Sequence, residues 1–167
     1  MKKLNLDDID HQASFFIYLV NKSRFEVAMT YNVLASAMAS SYPLSEVEKK
    51  LVADLPSMYS NAMALSAVLE KIDSNFSMIS YCGESIEIVG NIMRSLEAIG
   101  GAELPQENQT AFLARALTLI GLVFGDIQRV EKVFVGMCER SGIRYDLLMQ
   151  WTDDEAISLH VEDEIPE

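Results

Sequence analysis

The 167-residue chain has little of what several protein classes need. It contains 2 cysteines, too few for a disulfide scaffold. Both Cys82 and Cys138 sit in apolar helical surroundings, which predicts buried, reduced thiols; a single bridge between them is the other reading. Only 4 prolines and 8 glycines argue against a loop-rich or β-sandwich design. No segment alternates strictly between apolar and polar residues, and no hairpin dipeptide separates apolar runs. The longest apolar runs, Phe15 to Val20 and Ala116 to Gly125, fall short of the ~20 residues that cross a bilayer. Two lysines, Lys2 and Lys3, could open a signal peptide, but Asp7 and Asp8 follow where an apolar stretch would have to be. The expected location is the cytoplasm.

Positive charge is scarce as well. Thirteen Lys and Arg stand against 25 Asp and Glu, a net charge of −12. That balance speaks against a protein that tracks nucleic-acid phosphates. The charge is also uneven. Residues 151–167 hold seven of the acids (Asp153, Asp154, Glu155, Glu162, Asp163, Glu164 and Glu167) and none of the bases, so they carry −7. The remaining 150 residues carry −5, ordinary for a globular domain. The acidity belongs mainly to the C-terminal end, read as a solvated tail or as a segment that docks on a basic partner.

What the chain does have is helical periodicity. Met58, Ala62, Leu65, Leu69, Ile72, Phe76 and Ile79 step by fours and threes along one face. Leu113, Ala116, Ile120, Val123, Ile127, Val130, Phe134 and Met137 do the same over more than three heptads. Beside this second seam, Phe112, Leu117, Leu119 and Phe124 make its first half apolar nearly all round, which predicts helices on every side. Gly121 and Gly125 lie on that helix, where each costs about 1 kcal/mol against alanine; close approach of another backbone would explain them.

At the N-terminal end, Ile9, Ala13, Phe16 and Val20 lead to Val27, Tyr31, Leu34 and Met38. Ser23 and Glu26 match a capping box that would start a new helix. The apolar phase nevertheless carries from Val20 to Val27, and the spacing predicts one continuous helix over 7–40. The polar stretch Asn21 to Arg24 would face solvent.

Pro43 ends that helix. Ser45 to Glu48 forms another capping box, heading a short helix over 45–55. Pro56 then opens the first turn of a helix over 57–81. Gly83 breaks the chain before a helix over 84–99, with Ile86, Val89, Ile92 or Met93, and Leu96 inward. Gly100-Gly101 and Ser141-Gly142 are helix stops. The last long helix runs over 106–140. Thr152 to Glu155 caps a final short helix to about His160. The expected architecture is all-α: about four long amphipathic helices with short accessory ones, in a single bundle domain over 1–150, followed by a short helix and acidic tail over 151–167. Helices of roughly 50 Å, at ~1.5 Å rise per residue, imply an elongated molecule, bent helices or a second copy over what protrudes.

Chemistry-bearing residues are sparse. His11 and His160 are the two histidines. Asp7, Asp10 and His11 share a helix face, but an acidic first turn favoured by the helix dipole accounts for them. Glu84 and Glu87 form an E-x-x-E pair of the kind that holds Mg²⁺ in all-α nucleotide pyrophosphohydrolases. The second acidic pair such enzymes use is missing: Glu103 and Glu107 flank a Gly/Pro loop, and Asp126 and Glu131 are five apart. No G-x-S-x-G frame or P-loop appears, and nothing marks Cys138 as an activated thiolate. No catalytic, cofactor-binding or metal-binding residues are assigned, and no cofactor is expected.

Nine methionines are core filler by default, or else an adaptable surface for a partner helix. The Ala/Ser-rich stretch Leu34 to Ser40 would allow close helix approach. These features favour a non-enzymatic helical protein–protein interaction module (an adaptor, chaperone-like or regulatory unit), self-associating as a homodimer or binding a protein partner in an apolar groove, and binding neither nucleic acid nor membrane. The alternative is a metal-dependent all-α hydrolase centred on Glu84 and Glu87. A third reading, an acidic mimic of nucleic acid, would need acids along the body, which carries only −5.

Overall fold

A computed structural model describes residues 7–39, 44–75, 81–100 and 109–145. Four helices follow one another: α1 (Ile9–Ala39), α2 (Leu44–Asp73), α3 (Gly83–Gly100) and α4 (Gln109–Ser141). Contacts between α1 and α2, α2 and α3, α3 and α4, and α1 and α4 close them into a ring. The architecture is an all-α bundle, as the periodicity predicts, and among the described residues there is no strand. At ~1.5 Å per residue, α1, α2 and α4 are each roughly 45–50 Å long. Laid side by side they make the bundle body elongated.

Helix ends are fixed by local chemistry. Asp8, one acid among several in this stretch, is the N-cap of α1: the Asp10 and His11 amides donate to its Oδ1 at 2.8 and 3.3 Å. The Asp73 carboxylate, at the end of α2, accepts the Cys82 amide at 2.9 Å where α3 begins. Gly142 has a φ of 68°, and the Ile143 amide donates to the Cys138 carbonyl at 3.0 Å, the six-residue closure that a left-handed glycine permits after a helix. The Arg144 amide then donates to Asp10 Oδ1 at 3.0 Å, tying the end of α4 to the start of α1.

The predicted seams of α2 and α4 are buried at every described position. Phe16 of α1 and Phe134 of α4 meet at the centre, their ring centroids 4.0 Å apart. All of the core lies in one cluster that draws on all four helices. Phe76 and Ile79 lie outside the described residues, as do Thr152 to His160 and the acidic tail.

Four expectations need correction. First, the short helix over 45–55 is not separate. α2 runs unbroken through Pro56. Leu51 and Met58, both buried, are seven residues apart, so the apolar phase crosses the proline and packing outweighs the one lost backbone bond. Second, the inward stripe of α1 beyond Val27 runs through Thr30, Leu34 and Ala37, whereas Tyr31 and Met38 are exposed. Third, the stretch Asn21 to Arg24 does not simply face solvent. Ser23 is 5% exposed with a hydroxyl that has no hydrogen-bond partner, and Arg24 forms an ion pair with Glu131 of α4. Fourth, α4 is not surrounded along its first half: Leu122 is 56% exposed.

Candidate functional site

The residues singled out for chemistry do not converge. Glu84 and Glu87 are both exposed in the first turns of α3. Among the described residues, no group of three or more His, Cys, Asp or Glu is placed to hold a metal ion. His11 stands at the capped start of α1, and its amide is spent on Asp8. His160 lies outside the described residues.

Cys82 and Cys138 are buried, free thiols at one end of the bundle, where α1 and α3 begin and α2 and α4 end. Burial is the main force raising both above the usual thiol range. For Cys82 the Asp73 carboxylate adds to it, as does Cys138. Cys138 is pushed up to about 12, with Asp10 and Glu139 contributing. Neutral thiols of this kind are poor nucleophiles. Nearby polar groups are matched to one another: the Asn75 side-chain amide donates to Oε1 of the buried Gln12 at 3.0 Å. This end is a structural layer.

Several other polar links join neighbouring helices. On the α1–α2 side, Asn61 Nδ2 donates to Glu26 at 2.8 Å and the Thr30 hydroxyl to Asp54 at 3.2 Å. On the α2–α3 side, the Tyr59 hydroxyl donates to Glu97 at 2.8 Å; that bond, followed by desolvation, raises the phenol's pKa.

The α1–α4 side is different. Next to the Arg24–Glu131 ion pair lies an open groove of about 360 Å³, lined by Ala28, Tyr31, Asn32, Gly121 and Phe124. Its floor contains one of the two glycines whose spacing suggests close backbone approach. A methyl added at Gly121 would meet only the Tyr31 ring, at 3.7 Å, and one at Gly125 would meet nothing within 4 Å. Among the described residues, then, no backbone lies against either glycine. Gly121 lines a shallow apolar surface instead.

Phe25, 67% exposed, lies on the same face of α1 as Asn32, two turns earlier. Met29 is exposed one turn beyond Phe25. The described methionines divide: Met58 and Met137 fill the core and Met93 packs half-buried against it, whereas Met29, Met38 and Met63 are exposed.

Within α4, the stretch Ala111–Ser141 is long and apolar enough to cross a membrane by length and composition alone. In the bundle its apolar seam is turned into the shared core.

Comparison with protein-family models, with curated proteins and with solved structures finds no match.

Proposed function

We propose that this protein is a helical protein–protein interaction module, working without catalysis in the cytoplasm, and that the groove between α1 and α4 is its binding surface. The observation that carries this reading is the open apolar groove beside a core that draws on all four helices. A helix needs a stripe of apolar contacts spaced by three and four residues and a floor that lets its backbone come close. Tyr31 and Phe124 supply the first, and Gly121 the second. Self-association through this groove is the simplest use of it, because α1 and α4 are themselves amphipathic and a two-fold pair would present the same patch twice.

Light scattering on the full chain at micromolar concentration should give a dimer. Gly121→Arg should give a monomer of unchanged helicity, since the new side chain fills the groove without entering the core. A full chain that stays monomeric, or a dimer indifferent to Gly121→Arg, refutes self-association through this surface.

A further inference from the structure

The layer where α1 and α3 begin and α2 and α4 end holds two free thiols that the interaction surface does not use. On α4, Cys138 lies 14 residues past Phe124, about 21 Å from the groove at ~1.5 Å per residue.

The register of α3 against α4 sets the level of the two cysteines. Ile99, near the end of α3, lines a gap with Phe112 and Ala116 from the first turns of α4. Ile92 and Leu96 line another gap with Val123 and Ile127. The two helices therefore run antiparallel, and a step back along α3 matches a step forward along α4. Ten residues back from Ile92 is Cys82; ten on from Ile127 is Met137, beside Cys138. The two cysteines stand at one level of the bundle, to within about one turn of 5.4 Å.

Both point inward. Each is 1% exposed, and both belong to the one core cluster. Their main chains are pinned. The Cys82 amide donates to Asp73 at 2.9 Å, and the Cys82 carbonyl accepts the Ile86 amide at 2.8 Å. The Cys138 carbonyl accepts the Ile143 amide at 3.0 Å. Charge on Cys138 opposes ionisation of Cys82, so the two sulfurs lie within electrostatic reach of one another. A disulfide needs Cα atoms within about 7 Å, a separation that inward residues at one level reach when helix axes are about 8–10 Å apart.

We propose that Cys82 and Cys138 are a redox-responsive pair. A small-molecule disulfide of the glutathione class oxidises them to one intrachain bridge, which fastens the start of α3 to the end of α4. In the closed layer both thiols are neutral and shielded, so exchange waits for opening, when Ile143 and Arg144 release their bonds to Cys138 and Asp10. One cysteine gives its proton to solvent and attacks a sulfur of the small disulfide, whose S–S bond breaks and releases one small thiol. The other cysteine gives up its proton, attacks the protein sulfur of this mixed disulfide and releases the second small thiol. The protein loses two electrons and two protons, and the small disulfide gains both. The bridge closes a loop running from residue 82 to residue 138, which restricts the unfolded chain and holds the layer shut.

The reduced full chain is to be incubated in buffers of graded oxidised-to-reduced glutathione ratio. Free thiols are then counted in urea with a maleimide, and the linkage is mapped by mass spectrometry of peptides. Both thiols should disappear together, leaving a chain lighter by two hydrogens whose bridge lies within one chain on a non-reducing gel. Bridging should speed up several-fold in urea below the unfolding transition. The oxidised chain should unfold at a higher urea midpoint than the reduced one, and dithiothreitol should reverse the shift. Cys82→Ala and Cys138→Ala should each leave one thiol that ends as a glutathione adduct; the measurements on the unmodified chain decide the matter without these variants.

Four results would each overturn the proposal. Cys82 and Cys138 of the unmodified chain could take separate glutathione adducts. The bridge could form only between chains. Both thiols could stay reduced at every ratio, even in urea below the transition. The oxidised chain could unfold at a lower urea midpoint than the reduced one, which would mean that the bridge does not fit the native layer.

Discussion

Two glycines at the outer side and the end of α4 show how one substitution can act in opposite directions. Gly125 sits in the helix interior with no heavy atom within 4 Å of an added methyl. Alanine there removes unfolded-chain freedom and adds helix propensity, so Gly125→Ala should raise stability by about 1 kcal/mol. Gly142 holds the left-handed φ of 68° that closes α4. Gly142→Ala forces a Cβ against the following carbonyl and should lower stability by about 1–2 kcal/mol. Urea unfolding of the two variants beside the unmodified chain checks both signs. Shifts in the same direction would mean that backbone conformation is not what distinguishes these positions.

At the scale of the element, α2 is the informative helix. Pro56 lies in its middle, where a missing N–H and a ring against the preceding turn cost about 3 kcal/mol in an isolated helix. The helix continues because burial holds both sides. Leu51 and Met58 are in the core, and Asp54 is bonded by Lys50 within α2 and by Thr30 from α1. Pro56→Ala restores the backbone bond and leaves those contacts in place. It should raise stability by about 1–3 kcal/mol without changing helicity, as thermal and urea unfolding would show; a loss of stability would mean that the core packs around a bend the proline imposes.

The same helix shows what is legible in the sequence. Val20 to Val27 carries the apolar phase through α1 and predicts its continuity; the same seven-residue interval from Leu51 to Met58 crosses Pro56, where the proline's fitness for a first turn masks the phase and predicts a break that α2 does not have. Seams are legible because burial repeats every three and four residues wherever neighbours are fixed on one side. The uncovered outside is not. Tyr31, Met38 and Leu122 are as apolar as their buried neighbours, and whether anything lies over them depends on how many helices surround α1 and α4. The groove itself exists only by the meeting of two helices far apart in sequence. Gly121 is its one visible trace, and its spacing from Gly125 fits a place of close packing equally well.

For the whole molecule, the end layer where all four helices start or stop gives stability a pH dependence. Cys82 and Cys138 are buried there as neutral thiols. Both are raised above the usual thiol pKa of about 8.5, Cys138 up to about 12. In the unfolded chain the same thiols ionise near their ordinary value. Below that value both states keep the proton and the contribution is fully present. As pH rises through about 8.5, the unfolded state gives up protons that the native state retains, so unfolding becomes more favourable by up to about 1.4 kcal/mol per pH unit for each thiol. The loss continues toward the native-state pKa.

Other groups titrate in this range too, so the decisive measurement is a difference. Urea unfolding at a series of pH values from 7 to about 10.5 should show the unmodified chain losing stability more steeply than the Cys82→Ala/Cys138→Ala double variant. The two curves should run parallel below about pH 8 and converge above it, because the variant starts lower by its lost packing and has no thiol left to ionise. Parallel curves throughout would show that the thiols are reached by solvent in the native state, and that the end of the bundle opens far more readily than its buried Gln12 and the Asp10–Arg144 tie imply.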